Sequence, residues 1–127
     1  GPYAICPVLD ARKKEVYTAL YNSKNDLCVR ETPDQAITPM ELCDQIKKPT
    51  AFVGNGLVAY RELLSSRLRK KYMHNAPLKK LTVAASAVLI ASRDFEKNLQ
   101  NNLDSLTINY IRPSEAELNY NRAVLYK

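Results

Sequence analysis

The first third of the chain has the hydrophobic pattern of β-strands. A nearly continuous apolar run over residues 3–10 predicts the first strand, and β-forming residues over 15–21 predict the second. Residues 26–31 predict a third strand. Because short polar segments at 11–14 and 22–25 separate these runs, we predict an antiparallel meander.

Two tyrosines lie four residues apart in the second predicted strand. Residues at even spacing share one face of a strand, so the rings of Tyr17 and Tyr21 are predicted to lie together. We expect them to pack with Ile5 and Val53 in the core beneath the helices.

The hydrophobic period changes after residue 37. Thr38, Pro39 and Glu41 have the spacing of an N-cap, a proline in the first turn and a capping-box acid, which predicts a helix start. The helix is predicted to end near Lys47. Its predicted apolar face comprises Met40, Leu42, Cys43 and Ile46.

Strands and helices then alternate. Residues 50–53 predict a short buried strand, and 58–68 an amphipathic helix whose apolar stripe is Tyr60, Leu63, Leu64 and Leu68. The remaining predictions are a short strand at 71–73, a helix from the cap Thr82 to about residue 97, and a last strand at 106–111. A meander followed by this alternation is typical of an α/β fold of the ribonuclease-H-like class, with a mixed sheet and helices.

The chain length fits one domain. With 127 residues, 46% of them hydrophobic and 25% charged, the chain has an ordinary globular composition. We predict a single lobe at 3–112 and a polar C-terminal tail at 113–127. Gly1-Pro2 resembles a protease-cleavage scar, and since no Met opens the chain we expect a fragment. The longest apolar run, 83–91, is shorter than the roughly 20 residues that a bilayer requires, so we predict a cytoplasmic protein without membrane contact.

Cysteine and histidine usage excludes several kinds of site. The three cysteines form no C-x-x-C pair, and the apolar neighbours of Cys6 and Cys28 predict small buried thiols. His74 is the only histidine of the sequence. We therefore predict no structural zinc, no other metal site and no histidine-based catalysis.

The first predicted hairpin has a carboxylate but no glycine. A metal-dependent nuclease needs several carboxylates, and the strand at 50–53 ends in Gly54-Asn55-Gly56 rather than an acid. We expect Asp10 to hydrogen-bond its own turn. Because side chains fill the turn at 10–14, we predict neither tight ATP binding nor a cofactor. The Gly54 and Gly56 pair is equally explained by a tight turn between strand and helix.

The net charge of +6 is concentrated in one stretch. Residues 61–80 contain seven basic residues and one acid, and the rest of the chain is neutral. One interpretation is a solvated helix end whose cations favour the helix dipole. The other is a weak, salt-sensitive contact with RNA. The candidate contacts are Arg67, Arg69, Lys70, Lys71, Lys79 and Lys80.

Three segments resemble the TsaB (YeaZ) family. Residues 7–17 (PVLDARKKEVY) are similar to its DAR-x-x-EVY hairpin, 52–56 (FVGNG) to its GDG or GNG strand end, and 108–117 (INYIRPSEAE) to its YLRPSEAE terminus. Lys14 and Asn109 depart from the usual Gly and Pro, and we expect this sequence to correspond to the family without its N-terminal lobe. The residues that carry the resemblance are Asp10, Arg12, Glu15, Tyr17, Gly54, Gly56, Arg112, Pro113 and Glu115.

The resemblance implies the C-terminal lobe of a degenerate member of the actin/Hsp70-like superfamily. It further implies a non-catalytic partner subunit that supports N6-threonylcarbamoyladenosine formation at position 37 of tRNA, with a TsaD-like catalytic subunit and a TsaE-like ATPase. The older description of the family as a glycoprotease has no support in this sequence, which contains neither a zinc-binding set of ligands nor a Cys–His arrangement. The alternative function is a stand-alone RNA-binding or protein-interaction module that uses residues 61–80.

The predicted tail is too apolar for a purely solvated segment. Leu118, Tyr120, Val124, Leu125 and Tyr126 lie within it. Such a patch favours self-association, so we expect the isolated lobe to form a dimer, with an exchanged tail as one route. A monomer with a disordered tail is the competing expectation.

Overall fold

The computed structural model describes residues 4–24, 27–73, 83–93 and 107–125. The chain divides into two compact units, which are described separately: residues 1–75 with 110–127, and residues 76–109. The described part of the second unit contains the helix α3 (Val83–Arg93). It agrees with the predicted helix as far as Arg93, whereas the cap Thr82 and residues 94–97 lie outside the described ranges.

The first unit combines a mixed sheet with helices. Its strands are β1 (Ala4–Asp10), β2 (Val16–Thr18), β3 (Tyr21–Lys24), β4 (Leu27–Arg30), β5 (Gln35–Ile37), β6 (Thr50–Val53) and β7 (Tyr72–Met73). Its helices are α1 (Pro39–Gln45), α2 (Leu57–Leu68), a 3-10 turn (Arg69–Lys71) and α4 (Glu115–Leu125). No described helix is long and apolar enough to cross a membrane.

The strand β1 organises the sheet. It pairs antiparallel with β2, where Val8 lies opposite Thr18, and with β3, where Ala4 lies opposite Asn22. On its other side it pairs in parallel with β6, which in turn pairs in parallel with β7. β2 and β3 pair with the two ends of β1 in one register, so they continue a single antiparallel ladder that is interrupted between them. The antiparallel pairing of the first predicted strands is confirmed, and so are the parallel strands at 50–53 and 72–73.

The second predicted strand is two strands. The chain leaves the ladder at the buried residues Ala19 and Leu20, which divide β2 from β3. Tyr17 and Tyr21 therefore belong to different strands, and both rings are only half-buried. The prediction that they pack in the core with Ile5 and Val53 is wrong. Side chains alternate between the two faces of a strand, and the buried residues Val16 and Thr18, on either side of Tyr17, take the face toward the core.

The core lies between the sheet and the first two helices. Phe52 is fully buried on β6 and stacks on Tyr72 of β7, with ring centroids 5.3 Å apart. The buried core residues are Cys6, Val8, Val16, Leu20, Leu42, Cys43, Ile46, Phe52, Leu64 and Leu68. Tyr60 and Leu63 pack against this cluster, so the predicted stripe of α2 is confirmed.

The helix α1 starts as predicted. The Thr38 hydroxyl accepts a hydrogen bond from the Glu41 amide at 3.2 Å, and the Glu41 carboxylate accepts one from the Thr38 amide at 2.7 Å. These hydrogen bonds hold the pKa of Glu41 below its usual value. Met40 is 40% exposed, and its prediction as a core residue is wrong. The buried stripe starts one residue earlier, at Pro39, and continues at helical spacing through Leu42 and Cys43.

The predicted last strand is wrong over its described residues. Residues 107–110 have no regular structure, and Ile108 and Tyr110 are 75% and 77% exposed. Alternating polarity does not form a strand unless a neighbouring strand pairs with it. The predicted polar tail instead contains α4, which starts at a second capping box: the Glu117 amide donates to the Ser114 hydroxyl, and the Ser114 amide donates to the Glu117 carboxylate.

The three cysteines differ in exposure. Cys6 and Cys43 are buried as predicted, and burial raises the pKa of Cys6 to about 11, although a hydrogen bond with Thr18 opposes the rise. Cys28 is exposed, so its prediction as a buried thiol is wrong. It lies on β4, which is an edge strand of the sheet, and its apolar sequence neighbours do not determine which face is covered.

Candidate functional site

The loop between β1 and β2 is tight and has an unusual backbone. The Ala11 amide donates to the Glu15 carbonyl at 3.0 Å, and the Glu15 amide donates to the Arg12 carbonyl at 2.9 Å. Arg12, Lys13 and Lys14 have φ angles of 61°, 51° and 62°. Residues with side chains rarely occupy this left-handed region, at a cost of about 1 kcal/mol each. The loop therefore depends on contacts that hold it in place.

Asp10 holds the first half of this loop. Its carboxylate accepts a hydrogen bond from the Arg12 amide at 2.8 Å, which confirms its predicted role in the turn. The Arg12 guanidinium lies 3.6 Å from the same carboxylate, although its side chain is 88% exposed. The Asp10 amide donates to the side-chain oxygen of Asn55 at 3.0 Å. Asn55 thus joins the loop to the turn that precedes α2.

The two glycines of that turn lie against the backbone of Val8. The Gly56 amide donates to the Val8 carbonyl at 2.9 Å. A Cβ atom at Gly54, where φ is 117°, would lie 2.4 Å from the Val8 carbonyl oxygen. A Cβ atom at Gly56 would lie 2.8 Å from the Val8 side chain. Close approach of the turn to β1 therefore accounts for both glycines.

Arg112 fastens the C-terminal segment to the second half of the loop. Its guanidinium donates to the Ala11 carbonyl at 2.9 Å and forms an ion pair with the Glu15 carboxylate. It also lies over the ring of Tyr17, 5.6 Å from the centroid. The Arg112 side chain is only 20% exposed. We call this arrangement of Ala11, Glu15, Tyr17 and Arg112 the clasp.

A second ion pair lies beside the clasp. Lys13, at the tip of the loop, pairs with Glu115 in the first turn of α4, and this contact lowers the pKa of Glu115. Pro113 separates Arg112 from the capping box of α4. The first and last segments of the family resemblance therefore meet at one loop, and the middle segment contacts it through Asn55.

The predicted RNA-contact residues lie elsewhere. Arg67, Arg69, Lys70 and Lys71 are exposed at the end of α2 and in the 3-10 turn, whereas Lys79 and Lys80 fall outside the described residues. Sequence reasoning missed Asn55 and Lys13 as members of the site. The position of Asn55 between two glycines was the feature of the sequence that could have indicated its role. The sequence had no such feature for Lys13, because its partner Glu115 is distant in the chain.

The site is a junction of polar contacts rather than a cluster of metal ligands. Within the described ranges, no group of three His, Cys, Asp or Glu side chains could hold a metal ion. The Asp10 carboxylate is engaged by the loop backbone, and the Glu15 carboxylate is engaged by Arg112. Chemically, this arrangement fixes the loop and the start of α4 and presents the side chains of Arg12 and Lys14 to solvent.

Comparison with known proteins finds a curated relative and a solved structure with a similar fold. No family model matches the chain. The chain is 31% identical over 70 residues to the tRNA threonylcarbamoyladenosine biosynthesis protein TsaB of Bacillus subtilis (strain 168). The matched segment covers 53% of this chain and 31% of that protein. The fold is similar to a crystal structure described as an uncharacterized protein with similarity to peptidase YEAZ from Pseudomonas aeruginosa. That match has a TM-score of 0.61 and 18% identity, and covers 88% of this chain and 50% of the other.

The chain thus spans about a third of its curated relative and half of the similar structure. At 18% identity the structural likeness concerns the fold alone, and it agrees with a mixed α/β architecture with a curled sheet. The chain is therefore similar in sequence to TsaB over 70 residues, and similar in fold to a YEAZ-like protein.

Proposed function

We propose that the chain is the C-terminal lobe of a non-catalytic subunit that supports N6-threonylcarbamoyladenosine formation in tRNA. Its partners are a TsaD-like catalytic subunit and a TsaE-like ATPase. The observation that carries the proposal is the clasp, because Arg112 unites the hairpin and terminal segments that resemble the family. The similarity to TsaB supplies the connection with this tRNA modification.

The geometry of the loop supports a structural role for the subunit. A phosphate that binds to backbone amides needs space that glycine leaves open. Here Arg12, Lys13 and Lys14 occupy the turn, and the Asp10 carboxylate caps the Arg12 amide. The loop is therefore suited to present a fixed surface to a protein partner. We include in the same proposal that the lobe has the actin/Hsp70-like fold and that the protein is located in the cytoplasm.

Depletion of the gene that encodes this chain tests the proposal. We expect the threonylcarbamoyladenosine content of tRNA, measured by mass spectrometry of nucleosides, to fall on depletion and to recover with the wild-type gene. When unmodified tRNA and an activated threonylcarbamoyl donor are supplied, the modified nucleoside should form only if the purified gene product is combined with the TsaD-like and TsaE-like subunits. Unchanged nucleoside content on depletion, or modification by the product alone, contradicts the proposal.

A second candidate function is a stand-alone RNA-binding module. The observation that favours it is the exposure of Arg67, Arg69 and Lys70 without carboxylate partners among the described residues. The gene sequence upstream of Tyr3 discriminates between the two candidates. A preceding lobe of the same fold favours the subunit, and its absence favours the module.

A further inference from the structure

The C-terminal ends of α1 and α2 lie side by side and are both basic. The Lys71 ammonium group, after α2, donates to the Ile46 carbonyl after α1, at 3.4 Å. The Lys47 ammonium group donates to the Asp44 carbonyl in the last turn of α1, at 2.7 Å. The two helix ends are therefore in contact, although they are more than 20 residues apart in sequence.

Arg67 adds a third cation to these helix ends. Arg67 lies in the last turn of α2, and its charge opposes the rise that burial causes in the pKa of Cys43 on α1. The 3-10 turn adds Arg69 and Lys70, both exposed. We define the basic surface by its five cationic residues: Lys47, Arg67, Arg69, Lys70 and Lys71.

The cations of the basic surface have no carboxylate partner within the described part of the chain. The ion pairs found there use Arg12, Lys13, Arg30, Lys48 and Arg112 instead. The carbonyl groups at the end of α1 account for Lys47 and Lys71. Arg67, Arg69 and Lys70 remain directed to solvent, so the surface has a positive potential that attracts anions.

The surroundings of these cations distinguish between classes of anionic partner. A membrane-binding surface combines cations with exposed apolar side chains. Among the described residues, the large exposed hydrophobic side chains lie outside 44–48 and 65–71. Arginine and lysine together, without an apolar component, suit a phosphate backbone.

We propose that the basic surface binds the phosphate backbone of RNA. The choice of tRNA as that RNA rests on the function proposed above, whereas the surface itself does not. The proposal adds Lys47 to the described candidates Arg67, Arg69, Lys70 and Lys71. Arg61 belongs to neither set, although it lies in the basic stretch 61–80. Arg61 lies six residues before Arg67 on α2, about 9 Å along the helix axis from the basic surface.

Binding of an unmodified tRNA transcript to the full chain, measured by fluorescence anisotropy over a range of salt concentrations, tests the proposal. We expect the triple variant Lys47→Gln, Arg67→Gln, Lys70→Gln to bind about tenfold more weakly at 0.1 M salt. Its log–log salt slope should be shallower by about 2, since each phosphate contact contributes about 0.7 to 0.9. Arg61→Gln is the matched control and should bind like the wild type. Circular dichroism of each variant establishes that it is folded.

Three results would overturn the proposal. They are wild-type affinity in the folded triple variant, an equal loss in Arg61→Gln, and binding to phosphatidylserine vesicles or polyglutamate but not to tRNA. Because the assay uses the purified chain and no modification reaction, its failure is distinct from an unchanged nucleoside content after gene depletion.

Discussion

The guanidinium of Arg112 forms an ion pair with the carboxylate of Glu15, across 97 positions of the chain. The same guanidinium donates to the Ala11 carbonyl and covers the Tyr17 ring. One side chain therefore fixes both the hairpin loop and the segment that leads into α4. This relationship connects the segments of the sequence that resemble the TsaB/YeaZ family.

Removal of the clasp should destabilise the fold by a measurable amount. We expect Arg112→Ala to lower the free energy of unfolding by about 1–2 kcal/mol, because it removes a charge-assisted hydrogen bond and a cation–π contact. Urea denaturation measures this loss. The free energy of unfolding of Arg112→Lys should lie between those of the wild type and Arg112→Ala, since an ammonium group keeps the charge but not the planar geometry of the guanidinium.

The control for the clasp is a double-mutant cycle with Tyr17→Leu. If Arg112 and Tyr17 interact, the two substitutions together should cost less than the sum of their separate effects. Additive losses would contradict the contact between them.

Replacement of Lys14 by glycine should stabilise the protein. Its φ angle of 62° is costly for lysine and free of that cost for glycine, whereas the freedom of glycine in the unfolded chain offsets part of the benefit. We therefore expect a net gain of about 0.5 kcal/mol in urea denaturation. Lys70→Gly is the matched control, because Lys70 is an exposed lysine without a positive φ angle. It should destabilise the protein slightly. A loss of stability in Lys14→Gly would show that the lysine side chain makes a contact important for the loop.

The start of α4 should weaken in acid. The Ser114 amide and hydroxyl hold the pKa of Glu117 below its usual value. A depressed carboxyl pKa stabilises the helix above the unfolded pKa, and this contribution is lost as the pH falls through the folded value. An NMR titration should show Glu117 ionised at a lower pH than in Ser114→Ala. Equal titration midpoints in the two proteins would argue against the capping box.

A single thiol should react rapidly in the native protein. Cys28 is exposed, whereas Cys6 and Cys43 are buried and burial raises the pKa of each. Since the thiolate is the reactive form, a disulfide reagent at pH 8 should label Cys28 first. Cys28→Ser should abolish the rapid phase and leave the two slow thiols for labelling after unfolding. A rapid phase that survives this substitution would contradict the burial of Cys6 or Cys43.

Short sequence patterns correctly predicted the elements that are determined by neighbouring residues, such as helix starts and the apolar faces of helices. The start of α1 followed from Thr38, Pro39 and Glu41, and the stripe of α2 followed from its helical spacing. The same capping signature at Ser114 and Glu117 was present in the sequence, but the prediction of a tail at 113–127 left it unused.

The errors concern contacts between distant segments. The interruption of the ladder at Ala19 and Leu20 falls within a continuous β-forming run, so the split into β2 and β3 has no local signal. The strand expected at 106–111 failed because its alternation could not reveal whether a partner strand was present. The site shows the same division: the resemblance indicated Glu15 and Arg112 separately, and the ion pair between them depends on the fold.

The threonylcarbamoyladenosine content of tRNA, in cells depleted of the encoded protein and rescued with variants, tests the central claim most directly. That claim is that the clasp is part of the unit that supports this tRNA modification. We predict that Arg112→Ala rescues the nucleoside poorly, while Arg61→Ala, an exposed arginine outside the clasp, rescues it fully when both proteins are present at equal levels. Full rescue by Arg112→Ala, or no fall in the nucleoside on depletion, would contradict the claim.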